Sequence, residues 1–108
     1  MRDVFSAIAD PTRRQILDLL SGAGRLPLHA MTSHFPMGRT AVSKHLAILK
    51  EAGLVGDTRR GRETLYHLNP ARLHEVEEWV SDYQKFWTRR LEGLQEWLDG
   101  EGGPEARV

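Results

Sequence analysis

The chain contains no cysteine, which removes disulfides, thiolate metal ligands and thiol redox chemistry together. It also lacks any apolar run approaching the roughly 20 residues of a membrane-spanning helix. The opening stretch MRDVFSAIADPTRR interrupts its short apolar run with charge and has no small-residue cleavage pattern. No secretory signal is expected there, and a cytoplasmic location follows. There is no glycine-rich phosphate loop, and no histidine is spaced locally to both a nucleophile and an orienting acid. The expectation is therefore a non-enzyme with no catalytic residues, cofactor or resident metal to assign. Net charge is absent as well, with 15 Lys and Arg against 15 Asp and Glu. At 108 residues, one domain with a modest core is expected, small enough that self-association would add useful burial.

The charge that is present is unevenly placed. Residues 1–68 carry ten Lys/Arg against six Asp/Glu, and residues 69–108 carry five against nine, so the halves are net +4 and −4. A basic half joined to an acidic one suits a nucleic-acid-reading module with an appended element facing away from the polyanion.

Within the basic half, the stretch MGRTAVSKHLAILKEAGLV, residues 37–55, has helical periodicity. Ala41, Val42, His45, Leu46, Ile48, Leu49 and Ala52 fall on one face, a core stripe. Arg39, Thr40, Ser43, Lys44 and Ala47 fall on the other. Small, hydrogen-bonding and cationic side chains crowded into the first two turns are what a helix entering the major groove presents to base edges. The segment that follows reads as two extended runs, Leu54–Thr58 and Arg62–Leu68, around a turn in which Gly61 supplies a positive φ. Arg59, Arg60 and Arg62 at its tip are cations that a phosphate backbone or narrow minor groove attracts. A reading helix followed by a basic hairpin makes a winged helix-turn-helix.

Earlier in the chain, Val4, Phe5, Ala7 and Ile8 form a short helical stripe ending at Asp10-Pro11. Asp10 then caps a second helix whose first position suits Pro11. Ile16, Leu17, Leu19 and Leu20 give that helix its core stripe, and Gly22 and Gly24 end it. Arg13 and Arg14 stand at its positive end, where a surface ion pair with a nearby acid is expected rather than a phosphate contact. Leu26–Phe35 reads as the first helix of the helix-turn-helix, with Leu28, Met31 and Phe35 at spacings of three and four. Pro36-Met37-Gly38 is the turn, and Gly53 closes the reading helix.

Three strings in order, ADPTRRQILDLL, MGRTAVSKHLAILKEAGLV and RRGRETLYHL, resemble the ArsR-type winged-helix repressors of bacteria and archaea over nearly the whole chain. The resemblance implies a homodimeric transcriptional repressor on double-stranded DNA, bound at an inverted-repeat operator, with dimer contacts from the first and last helices. By position, Arg39, Thr40, Ser43 and Lys44 would face bases and phosphates, flanked by Arg59, Arg60 and Arg62. The family is best known for metal sensing, and here the chain departs from it. The helix before the turn has no cysteine in LHAMTSHF, and the last helix has only His74, near Glu77, Glu78 and Asp82, without the second histidine of the interhelical metal site. His74 and Glu78 have the spacing of two ligands, which keeps a metal-responsive repressor as the alternative, but a plain helical His–carboxylate pair is expected. His45 reads as a satisfied core imidazole. His29 and His34 do not share a face, and His67 belongs to the hairpin.

The last helix is expected from Pro70 to Asp99, capped by Asn69 and about 45 Å long. Leu73, Val76, Val80, Tyr83, Trp87, Leu91, Leu94 and Leu98 form a near-heptad seam, widened by Trp79, Phe86 and Trp97. A seam this long needs a partner, and a two-fold dimer is the economical answer. The expected dimer residues are Val4, Phe5 and Ile8 from the first helix and Val76, Trp79, Val80, Tyr83, Phe86, Trp87, Leu91 and Leu94 from the last. The run FWTRRLEGLQEWL also resembles the metal-independent autorepressor branch of the family. The expected architecture is mainly α with a small β-hairpin. It is a single winged helix-turn-helix domain over 1–99, with a DNA-reading module over 1–68, a dimerisation helix over 69–99 and a mobile tail over 100–108. A dimeric protein-interaction module that no longer reads DNA is the competing class, and no pocket names an effector.

Overall fold

The computed structural model describes residues 2–100. Its elements run α1 (Val4–Ala7), α2 (Pro11–Ala23), β1 (Arg25–Pro27), α3 (Leu28–Thr32), α4 (Arg39–Glu51), β2 (Val55–Arg60), β3 (Glu63–Leu68), a 3-10 turn (Pro70–Leu73) and α5 (His74–Gly100). The chain divides into two compact units, with the boundary between Val76 and Glu77 inside α5. Among the described residues no helix is long and apolar enough to cross a membrane. The expected tail lies, from residue 101 onward, outside the described residues.

The first unit is built on local signals. Asp3 caps α1 by accepting from Ser6 N at 3.0 Å, and Asp10 caps α2 by accepting from Arg13 N at the same distance. Gly24 closes α2 with φ 85°, its N–H donating to Leu20 O at 2.9 Å, and Gly53 follows α4 with φ 76°. Both sit in the left-handed region that a helix C-terminus uses to turn the chain away. The core is shared by α1, α2, α3, α4 and the entry to the hairpin, with Val4, Ile16, Leu20, Met31, Val42, Leu46, Leu49 and Leu54 fully buried. Val4 therefore belongs to the chain's own interior, which corrects its expected place at a dimer face. Phe5 on the same helix and Ile8 just past its end remain partly exposed.

Two helices differ from expectation. The helix expected over Leu26–Phe35 is only Leu28–Thr32, because Pro27 holds Leu26 extended and cannot itself donate within a helix. Arg25–Pro27 instead pairs antiparallel with β3, Leu26 opposite Tyr66, which turns the hairpin into a three-stranded sheet of order β1-β3-β2. Proline at this place fits an edge strand. At the other end of α3, Thr32 Oγ1 donates to Leu28 O at 3.0 Å and Ser33 Oγ to Ala30 O at 2.8 Å. Ser33 thereby takes up the carbonyl that a longer helix would bond to His34 N, which instead donates to Met31 O at 3.0 Å. The last helix also begins differently. Asn69 makes no side-chain cap bond and Pro70–Leu73 is a 3-10 turn, while the Asn69 N–H is committed to Leu54 O at 2.8 Å.

The wing is two six-residue strands paired from Val55 opposite Leu68 to Arg60 opposite Glu63. Only Gly61 and Arg62 make the turn, so Arg59 and Arg60 lie in β2 rather than at the bend. Gly61 has φ 64° and Arg62 does not share the positive sign. Glycine at the first of two turn positions gives a connection whose twist matches that of the strands.

Candidate nucleic-acid interface

Helix α4 is two-faced. Val42, Leu46 and Leu49 are buried, whereas Arg39, Thr40, Ser43, Lys44 and Ala47 are exposed. Gly38 at its start has no side chain with which to cap, so the first-turn N–H groups and the positive end of the dipole stay open toward solvent. Burial of the inner face against α2 and α3 fixes which side chains the outer face can present.

Arg25 of β1 aside, which is exposed and makes no hydrogen bond or ion pair among the described residues, the Lys and Arg side chains of residues 1–68 separate into two groups. Arg2 pairs with Glu51 at 3.0 Å and Lys50 with Asp57 at 2.7 Å. The Asp57 carboxylate accepts from Lys50 and stabilises its charged form, raising the Lys50 pKa. Arg13 Nε donates to Ala7 O at 2.6 Å and Arg14 Nη1 to Ile8 O at 2.7 Å. The ion pairs expected for Arg13 and Arg14 are replaced by bonds to carbonyls at the C-terminal end of α1, the negative end of that helix dipole. Arg39, Lys44, Arg59, Arg60 and Arg62, by contrast, make no hydrogen bond or ion pair among the described residues, and all five are exposed.

Three of these unpaired cations converge. Arg39 from α4 and Arg59 and Arg62 from the wing line one cleft of about 300 Å3, together with His29, Glu63 and Tyr66. His29 Nε2 lies 3.1 Å from Glu63 Oε2 and joins α3 to the start of β3. That pair was not evident in the sequence, since its members are separated by 34 positions and meet only because β1 brings α3 against the wing. The cleft can hold a polyanion backbone between the reading helix and the wing.

His45 faces inward from α4 and is half-buried. Its Nδ1 accepts from Arg13 Nη1 at 3.3 Å and stands 3.9 Å from Asp10 Oδ2, so the imidazole is satisfied by α2. The Arg13 backbone N–H is the main cause holding the Asp10 carboxyl below the usual carboxylate range. Among the described residues no three His, Asp or Glu side chains are gathered to hold a metal ion.

In the second unit, α5 presents Trp79, Tyr83, Phe86, Trp87, Leu91, Leu94 and Trp97, each between 46% and 68% exposed. Trp79 and Tyr83 meet edge to face with centroids 5.5 Å apart, and Tyr83 lies 6.3 Å from Phe86. Exposed aromatics along one stripe of a helix mark an association surface.

The model of the bacterial regulatory proteins of the arsR family matches residues 10–56, which span α2 through the start of the wing. The transcriptional repressor SdpR of Bacillus subtilis is 41% identical over 83 residues, covering 77% of this chain and 91% of that protein. The HTH-type transcriptional regulator Rv2034 of Mycobacterium tuberculosis is 39% identical over 98 residues, covering 91% and 88%. Among solved structures, the homodimeric winged helix-turn-helix DNA-binding domain Mb0332 of Mycobacterium bovis, a possible ArsR-family regulator, superposes with a TM-score of 0.60 at 33% identity, covering 75% of this chain and 77% of that one. With its winged helix-turn-helix fold, and with relatives of this identity matched over most of their length, the chain belongs to the arsR family of bacterial regulatory proteins.

Proposed function

We propose that the protein is a sequence-specific transcriptional repressor that binds DNA as a homodimer, on an inverted-repeat operator in its own promoter, without a metal effector. The observation that carries the DNA reading is the partition of cations. Arg2, Arg13, Arg14 and Lys50 are committed to acids or carbonyls, whereas Arg39, Lys44, Arg59, Arg60 and Arg62, on the outer face of α4 and the wing, are left unpaired beside Thr40 and Ser43; Arg25, in β1 at the opposite edge of the sheet from β2, is also unpaired. Two copies of α4 would enter successive major grooves roughly 34 Å apart, with the wings at the flanks. The apolar stripe of α5 supports self-association, as does the homodimeric state of the Mycobacterium bovis relative. The absence of cysteine and the single histidine of α5 support metal independence.

The test is fluorescence-anisotropy titration of the purified protein on the DNA upstream of its own gene and on a scrambled duplex, at near-physiological salt, with chelator and with added zinc. Tight binding to the upstream duplex alone, unchanged by either addition, is the expected result. A zinc-dependent change in affinity would instead establish metal responsiveness through ligands such as His74 and Glu78. Equal weak binding to both duplexes would overturn the autorepressor reading.

A further inference from the structure

Two arginines that the proposed DNA contacts do not use hold the recognition helix, one at its middle and one at its C-terminal end. At its inner face, Arg13 Nη1 donates to His45 Nδ1 at 3.3 Å, while Nε and Nη2 of the same guanidinium donate to Ala7 O at 2.6 Å and Ser6 O at 3.4 Å. One planar group therefore joins α4 to the end of α1. At the C-terminus of α4, Arg72 Nη1 donates to Ala52 O at 2.7 Å and reaches Arg2 O at 3.4 Å. Its Nε donates to Glu75 Oε2 at 2.8 Å, in the first turn of α5. This second guanidinium joins the end of the recognition helix to the segment before α1 and to the base of α5.

A guanidinium offers five donors in a fixed plane, so carbonyls from two elements bound to one such group have their relative placement set by it. An ammonium keeps the charge and loses that geometry. Both arginines lie outside the cleft that Arg39, Arg59 and Arg62 line, and α1 and α5 carry the stripes read above as the dimer face. We propose that Arg13 and Arg72 are positioning residues for DNA reading: they fix the pose of α4 against α1 and the base of α5, and so set the separation of the two recognition helices in the dimer. This rests on the dimeric DNA-reading function proposed above. DNA half-sites are spaced by the helical repeat, so a dimer with a fixed helix separation discriminates sharply between spacings. A dimer with loosened helices does not.

The experiment uses the full chain as wild type, Arg13→Lys and Arg72→Lys. The probes are the duplex that the wild type enriches from a randomised pool and the same duplex with one base pair inserted at, or deleted from, its centre. Thermal unfolding and sedimentation velocity establish that each variant is folded and in the same oligomeric state. The expected result is that each lysine variant binds scrambled DNA like the wild type but loses its preference for the native spacing by roughly five- to tenfold. In 15N-resolved spectra the His45 Nδ1 resonance should move in Arg13→Lys and stay in place in Arg72→Lys. Folded variants with undiminished spacing preference would overturn the inference and leave both arginines a purely structural role. Where a lysine variant fails to fold, His45→Gln or Glu75→Gln loosens the same tie from its other end, and an unchanged spacing preference in these would overturn it equally. Enrichment of no duplex by the wild type would overturn the DNA reading itself, and this inference with it.

Discussion

Asp10 shows how much one side chain settles at the residue scale. Its carboxylate accepts from Arg13 N at 3.0 Å, satisfying a donor that the first turn of α2 leaves open, and that bond is the main cause lowering its pKa. Replacing a capping aspartate by alanine costs about 1 kcal/mol, so Asp10→Ala should unfold at lower urea concentration at neutral pH. The unfolded chain binds the proton more tightly than the folded one. Asp10's contribution is therefore present above the ordinary aspartate pKa and is lost as pH falls through the depressed folded-state value. Urea midpoints of the two proteins should converge on acidification, and a gap that persisted in acid would assign the cost elsewhere. Gly56 makes a second case. A Cβ added there would stand 2.6 Å from His67 Nε2 and 2.8 Å from its Cε1, across the β2–β3 pair that joins these two residues. Gly56→Ala should cost about 1–3 kcal/mol by overpacking, and His67→Ala in the same chain should recover most of it. The His67 Nδ1 is buried without a hydrogen-bond partner, so His67→Ala alone should be close to neutral. A double-mutant cycle by chemical denaturation measures all three values, and additive costs would mean that the ring is not what Gly56 accommodates.

At the scale of elements, α2, α4 and the wing were legible because their signals are local: a capping Asp-Pro, a 3.6-residue stripe, and glycines at Gly24, Gly53 and Gly61 where the backbone adopts positive φ. The face of α4 could be divided before any fold was known, and the structure leaves Arg39, Thr40, Ser43 and Lys44 exposed on one side of it. Strand β1 was not legible, since three residues containing a proline carry no period and pair with β3 some forty positions away. The tasks of Arg13 and Arg14 were hidden for a related reason: their acceptors are carbonyls of α1, and a carbonyl leaves no mark in the sequence. The division of labour across α4 and the wing yields a prediction at this scale. In the proposed complex Ser43 and Lys44 would meet base edges, whereas Arg60, exposed in β2, would meet the flanking phosphate backbone. Ser43→Ala and Lys44→Ala should weaken operator binding more than binding to random duplex. Arg60→Ala should weaken both alike and reduce the slope of log affinity against log salt by about one unit. Titrations at several salt concentrations separate the two patterns, and equal losses on both duplexes for all three variants would refute the assignment.

At the scale of the whole molecule, the buried core among the described residues runs from Val4 to Val55, while α5 continues for 27 residues, about 40 Å at 1.5 Å per residue. Its apolar stripe beyond Val76 is among the most exposed apolar surface of the chain. A solitary helix of this kind is marginal in water, since most helical stability in proteins comes from packing an amphipathic face. The same stripe, repeated by a two-fold axis, supplies its own complement. In the proposed dimer, the acidic balance of residues 69–108 would disfavour contact of the paired helices with DNA phosphates. Trp87 lies in the middle of the stripe and is 55% exposed, so Trp87→Glu should leave the core of the first unit intact while placing two like charges in a dimer seam. Sedimentation equilibrium should show a monomer at concentrations where the wild type is dimeric, and circular dichroism should show helix content lost from α5. Binding to a two-half-site operator should fall by about a hundredfold or more, because the second half-site contact is no longer delivered at high effective concentration. Affinity for a single half-site should change little. A Trp87→Glu protein that remained dimeric would place the two-fold contact elsewhere on the chain, and one that became monomeric yet bound the full operator undiminished would separate dimerisation from DNA reading.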